Sequence, residues 1–386
     1  MKIAILTSGI LPVPAVQGGA VENLVDFYLE YNEQHRLHDI TIYSVWHPAV
    51  ERHPALQSEV NHYRYVKVDT LWAKLKKRLF KWTHPEGYYH YTIEYFLHEV
   101  LKDLKRQSYD MIILENRPGF ALRLKDVTSA KLVYHLHNDL LNSNTRDAQK
   151  LYDAAARIIT VSDYIKHCVQ SVNTKDTKTI TVHNGIDLMD FTTEKRKEHD
   201  ASDHFTIIFM GRIIPEKGIE QLIDAMLKLH HFPDIRLVVV GGSNYANSIP
   251  SDFEQQLRQK AEPIKDRILF TDYIAHDKLY MHLQQADIAV LPSIWEEPFG
   301  LTCVEVMTAG LPLITTRSGG IPEICEGVAT IVDKENIVDD LATAILDLYE
   351  HPEKRKAMSE AAKKHSQLFS KERYAREFFE ALEKRV

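Results

Sequence analysis

The stretch Ser293–Glu323, SIWEEPFGLTCVEVMTAGLPLITTRSGGIPE, decides the fold class of this chain. An apolar run at 288–291 precedes it and predicts a short strand that ends in a polar turn. A helix is then predicted from Leu301 to a natural stop at Gly310, and residues 312–316 predict the next strand. Strands joined through a helix in this way predict an α/β domain with a parallel sheet.

Two carboxylates, Glu297 and Glu305, lie on either side of the predicted helix start. In open α/β sheets the residues at the carboxyl ends of the strands face a common cleft, so both side chains can reach one ligand. The N–H groups of residues 299–302 would be unpaired at the helix N-terminus, which favours an anion. The pattern therefore predicts a nucleotide-sugar site. An ordinary turn and helix with two surface glutamates is the alternative that the pattern leaves open.

Length and composition narrow the class of protein. A chain of 386 residues is long enough for two α/β domains, and 44% hydrophobic with 26% charged residues is typical of a globular protein. The net charge of −7 argues against a dedicated nucleic-acid binder. The three cysteines lack zinc-site spacing and suit a reducing compartment, and no apolar run reaches transmembrane length. We expect a cytoplasmic protein whose membrane contact, if any, is peripheral.

Predicted strands and helices alternate along two halves of the chain. Residues 1–190 form the first predicted domain, which begins with a buried strand near Lys2. Residues 191–203 are charged and lack hydrophobic periodicity, so they are predicted to be a linker. The alternation restarts over 204–370, and we predict a doubly wound parallel sheet in each domain.

The first predicted domain carries two further candidate positions at strand ends. Gly18 and Gly19 lie in the loop after the first strand and would let the backbone approach a phosphate or sugar, although tight turns also need glycine for steric reasons. His137 follows the strand predicted at 131–136. His135 would share its face of the strand, so the sequence does not separate the two. A structural role is the alternative for either histidine.

The segment Leu71–Trp82, LWAKLKKRLFKW, predicts an amphipathic helix with two tryptophans and five cations. One interpretation is an interfacial helix that rests on anionic lipid. The other is a surface helix that packs its apolar stripe on its own domain while its lysines are solvated. The acidic composition of the whole chain favours the first.

The loop 211–218, GRIIPEKG, follows the first strand of the second predicted domain. It places Arg212 and Lys217 beside a helix N-terminus, which suits a diphosphate because arginine binds two oxygens at once and lysine acts as a point charge. The loop lacks the order of residues of a P-loop. Two basic residues on a loop are usually only solvated. Here, however, the strand before the loop belongs to the same predicted sheet as the opening stretch.

These motifs together resemble the retaining glycosyltransferases of family 4. The resemblance covers nearly the whole chain and is strongest at GRIIPEKG, at LPSIWEEPFGLTCVEVMTAGLPLI and at GGIPE, with weaker matches at QGGAVE and HNGID. It implies the GT-B fold, in which two doubly wound, Rossmann-like parallel-sheet domains face a cleft. The N-terminal domain would bind the acceptor and the C-terminal domain the nucleotide-sugar donor. The helix at 371–386 would cross back to the N-terminal domain.

The resemblance also implies roles for individual residues. Arg212 and Lys217 would neutralise the donor diphosphate, and Glu297 would bind hydroxyls of the transferred sugar. Glu305 would bind the ribose, and His137 would lie near the reacting carbon. The other implied donor-binding residues are Gly18, Gly19, Tyr273, Ile274, Phe299, Gly300, Leu301 and Thr302. Glu296 is out of register with the family pattern and is interpreted as structural.

The implied reaction moves a hexose or N-acetylhexosamine, with retention, from a nucleotide-sugar to a glycan or lipid-linked acceptor in cell-surface polysaccharide synthesis. UDP is the expected donor nucleotide. No Asp-x-Asp pair occurs in the sequence, so no metal and no cofactor are expected. One alternative is a catalytically silent nucleotide-sugar-binding or coat-associated protein with the same fold. A sugar-nucleotide epimerase that hydrolyses its substrate is a further rival.

Overall fold

The computed structural model describes residues 1–83, 87–191, 204–242, 250–271, 274 and 278–384. The chain divides into two compact units. Unit 1 comprises Met1–Gly185 together with Lys371–Val386, and unit 2 comprises Ile186–Ser370. Apart from Phe191, the predicted linker lies outside the described residues.

In the described part of unit 1, seven parallel strands form one sheet in the order β3-β2-β1-β4-β5-β6-β7. The strands are β1 Lys2–Leu6, β2 Asp39–Val45, β3 Asn61–Val66, β4 Met111–Glu115, β5 Lys131–Leu136, β6 Arg157–Thr160 and β7 Thr179–Thr181. The central strands are apolar along their whole length because helices cover both faces of a parallel sheet.

The described helices of unit 1 are α1 Ala20–His35, α2 Leu71–Thr83, α3 Tyr91–Leu104, α4 Ala121–Leu124, α5 Ala148–Ala154, α6 Asp163–Gln170 and α14 Lys371–Glu383. The C-terminal α14 shares a buried core with α1 and the sheet. The Tyr28 ring of α1 stacks on Phe378 of α14 with centroids 4.3 Å apart. The Arg157 guanidinium donates hydrogen bonds to the carbonyl groups of Ala381 and Lys384. These contacts make α14 an integral part of unit 1.

In the described part of unit 2, six parallel strands form a sheet in the order β10-β9-β8-β11-β12-β13. The strands are β8 Phe205–Met210, β9 Ile235–Val240, β10 Ile268–Phe270, β11 Ile288–Leu291, β12 Leu313–Thr316 and β13 Thr330–Val332. The described helices are α7 Ile219–Lys228, α8 Asp252–Lys260, α9 Leu279–Leu283, α10 Leu301–Thr308, α11 Ile321–Cys325, α12 Ile337–Glu350 and α13 Pro352–Ser366.

The helix of the opening stretch ends as its sequence predicts. The φ of Gly310 is 73°, which is a left-handed conformation that glycine adopts at little steric cost. The Leu311 N–H donates to the Val306 carbonyl, and the Gly310 N–H donates to the Met307 carbonyl. This is the Schellman arrangement that satisfies the last carbonyl groups of α10.

The apolar stripe of α2 faces away from unit 1, because the opposite side of the helix is the buried one. Ala73, Lys77 and Phe80 are buried, and the Phe80 ring meets Tyr95 of α3 edge-on at 5.8 Å. The exposed fractions of the stripe residues are Leu71 85%, Trp72 77%, Leu75 59%, Leu79 60% and Trp82 82%. The interpretation in which this stripe packs on its own domain is therefore wrong. Of the helices described, none combines the length and apolarity needed to cross a bilayer.

Candidate active site

In unit 2, the loops after β8 and β11 come into direct contact. Gly218, at the start of α7, has φ of 69°, and a Cβ built on it would lie 1.8 Å from the Pro292 carbonyl oxygen. The Ile294 N–H donates to the Glu216 carbonyl at 3.0 Å, and the Ser293 hydroxyl oxygen lies 3.2 Å from the same carbonyl oxygen. The glycine that ends GRIIPEKG is needed because a side chain there would push the two loops apart.

This approach brings Lys217 to Glu297. The Lys217 ammonium donates to Glu297 Oε1 in an ion pair, and the Ser293 hydroxyl donates to the same oxygen at 2.9 Å. The Glu297 carbonyl accepts the Gly320 N–H at 2.8 Å, which fixes the backbone of the residue as well. The Lys217 ammonium also lies 5.8 Å from the centre of the Trp295 ring. Two residues that the resemblance assigns to different parts of the donor are thus paired directly.

The side chain of Lys217 is 23% exposed and that of Glu297 10% exposed. The pair is therefore shielded but still open to solvent on the lysine side. Arg212, on the same loop as Lys217, is exposed and forms no ion pair with a described residue. Both side chains can therefore bind an anion. Arg212 pairs with no described carboxylate, and Lys217 retains N–H donors that Glu297 does not use.

The N-terminus of α10 lies on the loop that carries Glu297. Gly300, with φ of 107°, precedes the first helical residue. Leu301 and Thr302 occupy the first turn, where backbone N–H groups have no carbonyl partner within the helix. The Phe299 side chain is buried against Phe369, with ring centroids 6.0 Å apart, so this residue offers a ligand only its backbone.

Of four other positions in unit 2 that the sequence analysis singled out, the structure describes three. Glu305 is half-buried in the second turn of α10. Ile274 is half-buried, whereas Tyr273, its predicted partner at the base, lies outside the described residues. Glu296 pairs with Lys334 at 2.5 Å and accepts the Gly319 N–H at 2.5 Å. These contacts hold the loop and agree with a structural role for Glu296.

In unit 1, Gly18 and Gly19 precede α1 with φ of 73° and 110°. A Cβ on Gly18 would meet nothing within 4 Å, whereas one on Gly19 would lie 2.3 Å from Glu22 Oε2. Glu22 is buried and accepts from the Ser8 hydroxyl at 3.3 Å. Burial raises its pKa above the ordinary value. The two glycines thus occupy backbone conformations that other residues rarely adopt.

His137 lies just after β5 and belongs to a buried cluster. Its Nε2 lies 2.9 Å from Glu115 Oε2, and His135 Nδ1 lies 3.0 Å from the same oxygen. The Tyr28 hydroxyl donates to Glu115 Oε1 at 2.8 Å. Both histidines therefore face one carboxylate, and the predicted sharing of a strand face is confirmed. His135 is fully buried, while 6% of His137 is exposed.

Asn116 connects the ends of β4 and β5. Its φ is 55°, which is an uncommon conformation for a residue other than glycine. Its side-chain oxygen accepts the His137 N–H at 3.2 Å, and its own N–H donates to the His135 carbonyl at 2.8 Å. The carbonyl of Asn116 accepts from the Arg117 guanidinium at 3.0 Å. This turn fixes the backbone of His137 relative to Glu115.

The cluster contains one stable negative charge. Burial alone would raise the pKa of Glu115, but the neighbouring His135 and the hydrogen bonds from both histidines outweigh it and lower the pKa from 4.5 to about 2. Burial, followed by the proximity of His135, lowers the pKa of His137 from 6.5 to about 4, against the opposing effect of Glu115. At neutral pH, Glu115 is ionised and His137 is neutral.

Within the described part of the chain, Glu115, His135 and His137 are also the set whose ligand atoms could hold a metal ion, since these atoms lie within 4.8 Å of one another. The same atoms already form hydrogen bonds with each other. Two histidine N–H donors and the Tyr28 hydroxyl satisfy a carboxylate at full burial. We therefore describe the cluster as a hydrogen-bonded network.

Sequence reasoning missed Glu115 and Tyr28. The pattern that could have revealed Glu115 is a carboxylate at the end of a buried apolar strand, β4, whose neighbour β5 ends just before His137. Tyr28 has no such pattern, because it is one apolar-face residue among several on α1. Of the predicted site residues described in unit 2, all but Ile274 lie on segments that follow β8 and β11, whereas Gly18, Gly19 and His137 belong to unit 1.

Comparison with known proteins identifies the family of the chain. The model described as Glycosyl transferases group 1 matches residues 190–365, and the model described as Glycosyltransferase Family 4 matches residues 31–190. YtcC of Bacillus subtilis (strain 168), to which a glycosyltransferase activity is attributed, is 29% identical over 384 residues, which cover 95% of this chain and 87% of YtcC. Spore coat protein SA of the same organism is 26% identical over 389 residues, 95% of each chain.

Among solved structures, Alr3699/HepE of Anabaena in complex with UDP and glucose aligns with a TM-score of 0.73 over 99% of both chains, at 22% identity. At this identity the likeness establishes the fold, including a parallel α/β sheet in each unit. The chain therefore belongs to the group 1 glycosyltransferases of family 4, and it has the two parallel-sheet α/β domains of their GT-B fold.

Proposed function

We propose that the chain is a retaining, metal-independent hexosyltransferase that uses a UDP-sugar as donor. Its product would be a glycan or lipid-linked sugar of cell-surface polysaccharide synthesis. The observation that carries this proposal is the Lys217–Glu297 pair beside the N-terminus of α10. The complex of HepE with UDP and glucose supports the choice of nucleotide.

Lys217 and Arg212 would hold the donor diphosphate. An ammonium has three N–H donors, so pairing with Glu297 leaves donors for phosphate oxygens. The N–H groups of Leu301 and Thr302 would add donors at the positive end of the α10 dipole. Glu297 would accept hydrogen bonds from hydroxyls of the sugar, and Glu305 would bind the ribose. Gly18 and Gly19 would bind the phosphate side through their backbone.

The reaction we propose is a front-side displacement. The bond from the anomeric carbon to the diphosphate breaks, and a bond to the acceptor oxygen forms on the same face. The acceptor proton passes to an oxygen of the departing phosphate. Negative charge grows on the leaving group, where Arg212, Lys217 and the helix N-terminus would stabilise it. His137 would contact the sugar whose bond is broken.

The nucleotide is the part of this proposal that one experiment can settle. We expect UDP-sugars to raise the melting temperature more than GDP- or ADP-sugars, because a donor that binds the folded state alone adds about 2.7 kcal/mol at one hundred times its dissociation constant. The best donor should then be consumed in a transfer or hydrolysis assay without added divalent metal. Stabilisation by another nucleotide class, or a reaction that requires metal, would refute the corresponding part.

We also propose that α2 rests on an anionic membrane surface on the cytoplasmic side. Support comes from the five apolar residues exposed on one side of this helix. Exposed cations flank that stripe, namely Lys74, Lys76, Arg78 and Lys81. Large exposed apolar area next to cations suits an interface with anionic lipid.

Vesicle flotation tests the membrane proposal with a matched pair of variants. We expect binding to vesicles that contain anionic lipid and loss of binding in Lys74→Glu/Lys81→Glu. The control is Lys356→Glu/Lys364→Glu, which changes the same charge on the exposed side of α13, where no tryptophan occurs. Equal binding by both variants, or none by the wild type, would refute a role for α2.

A silent nucleotide-sugar-binding or coat-associated protein is the second candidate, and the similarity to spore coat protein SA favours it. The presence of Arg212, Lys217, Glu297 and Glu305 argues against it, since loss of these residues would accompany loss of catalysis. Thermal stabilisation by a nucleotide-sugar without transfer or hydrolysis under any acceptor condition would support the silent protein instead.

A further inference from the structure

Glu115 is a buried, charged residue that has no direct role in the proposed reaction. Its side chain has no exposed surface. Three side chains surround it with hydrogen-bond donors: the Tyr28 hydroxyl at 2.8 Å, His135 Nδ1 at 3.0 Å and His137 Nε2 at 2.9 Å. An ionised carboxylate at full burial is costly unless such donors satisfy it. A need for a charge at this point would explain why the fold retains it.

The contact with Glu115 uses one of the two ring nitrogens of His137. The other, Nδ1, is buried and has no hydrogen-bond partner among the described residues. The Asn116 side chain holds the backbone N–H of His137, and Glu115 holds its ring at Nε2. A buried imidazole nitrogen without a partner costs free energy, and a ligand hydroxyl that donates to Nδ1 would remove that cost.

We propose that Glu115 is a positioning residue for His137: it accepts the Nε2–H hydrogen bond and leaves the Nδ1 lone pair as acceptor for a hydroxyl of the sugar substrate. The proposal rests on the proposed function, because it requires that His137 contacts the sugar.

The protonation state of the network supports this assignment. A neutral imidazole carries one N–H, and the nitrogen that faces a carboxylate is the one that keeps it. Burial holds the pKa of His137 well below neutral, while the pKa of Glu115 is held at about 2. The proton on Nε2 therefore faces a permanent negative charge. The opposite tautomer would place two acceptors, Nε2 and the carboxylate, 2.9 Å apart.

Helix α14 supports Glu115 through Tyr28. The Tyr28 ring stacks on Phe378 with an interplanar angle of 6°, which directs its hydroxyl at Glu115. The His135 ring also lies 5.0 Å from the Phe378 ring. Helix α14 thus helps to orient His137 indirectly, through Tyr28 and Glu115.

Long-range ¹H–¹⁵N spectra of the full chain labelled on histidine nitrogens read the tautomer directly. The His137 signals are identified by their loss in His137→Gln. We expect Nε2 to carry the proton near neutral pH in the wild type. In Glu115→Gln the amide can donate to Nε2, so the proton should move to Nδ1. A wild-type ring already protonated on Nδ1, or an unchanged tautomer in Glu115→Gln, would overturn the proposal.

Kinetics supply the second readout. We expect Glu115→Gln to lower kcat by roughly 10- to 100-fold while the KM for the donor stays within about 2-fold, as when an orienting partner is lost. The control is Glu254→Gln, a buried carboxylate on α8 that pairs with Arg258 at 2.8 Å in unit 2. It should leave kcat and the His137 tautomer unchanged. A loss of donor affinity with unchanged kcat in Glu115→Gln would contradict positioning.

Two further measurements keep the proposal testable if Glu115→Gln does not fold. Tyr28→Phe keeps the ring stack and removes one donor, so it should retain the Nε2–H tautomer with a smaller loss of kcat. Metal analysis of the purified protein should find no stoichiometric ion, and an ion bound by these residues would overturn the network. If the tautomer responds as expected but no nucleotide-sugar is turned over, the proposed function fails and the positioning contact stands.

Discussion

A carboxylate is held at a strand end in each of the two units, and the two are held in different ways. Glu115 in unit 1 is sealed from solvent, and two of its hydrogen-bond partners, Tyr28 and His137, are uncharged at neutral pH. Glu297 in unit 2 pairs with Lys217, whose side chain is 23% exposed. The first arrangement suits a rigid support, whereas the second can exchange contacts with a bound ligand. Burial and the charge of the partner decide which role a carboxylate can take.

The largest expected difference is in stability. Glu115→Gln should destabilise unit 1 by about 3 kcal/mol, because it disrupts a buried charge network. Glu297→Gln should cost about 1 kcal/mol or less, because Lys217 can turn to water. Hydrogen exchange of peptides from each unit at increasing urea concentration measures both effects separately. Equal losses would show that the two carboxylates do not differ in the way their burial implies.

The second comparison concerns two lysines that pair with adjacent glutamates. Lys217→Ala should reduce the transfer rate by about 100-fold, since one donor to a developing charge contributes about 3 kcal/mol. Lys334→Ala removes the cation paired with Glu296. It should leave the rate within about 2-fold, because an ion pair outside the site contributes little free energy. Steady-state rates with the best donor test this. Similar losses in both variants would indicate a general effect of the loop.

The third comparison concerns the pH dependence of stability, to which the neutral His137 of unit 1 contributes. The folded pKa of His137 is about 4, below its ordinary value of 6.5, so in this range the unfolded chain binds a proton that the folded chain does not. Stability should therefore fall as pH falls from 6.5 towards 4, by up to about 3 kcal/mol. Glu115, whose pKa is also lowered, adds a loss in the same direction below pH 4.5.

Urea unfolding of unit 1 across this pH range is the measurement. His137→Gln should flatten the profile between pH 6.5 and 4. His167→Gln is the control, since His167 is exposed on α6 and should leave the profile as it is. A profile that stays steep in His137→Gln would assign the dependence to another group.

The smallest expected difference is between two glycines with positive φ. Gly218→Ala should destabilise unit 2 by about 2 kcal/mol or more, because its Cβ would meet the Pro292 carbonyl oxygen. Gly18→Ala should cost unit 1 only about 1 kcal/mol, from the left-handed backbone alone, since nothing lies within 4 Å of its Cβ. Thermal unfolding compares the two. A larger loss in Gly18→Ala would place the constraint in unit 1 instead.

Local patterns predicted much of the fold. The strand at 288–291, the start of α10 and its stop near Gly310 follow from apolar runs and from glycine chemistry, which act within a few residues. The grouping of Lys217 and Glu297 was also predictable, because both follow strands of one parallel sheet and such ends meet at a common edge. Their direct pairing was not, because it depends on how closely two loops approach.

The sequence by itself therefore determined the strand and helix alternation, the family and the grouping of Lys217 and Glu297 after neighbouring strands. Only the tertiary structure decided which side of α2 is covered, since α3 and not the periodicity selects the buried face. It also decided the surroundings of His137, where Tyr28 reaches Glu115 across 87 positions of the chain. Hydrogen bonds between distant elements follow from the order of strands in the sheet, and no local pattern encodes that order.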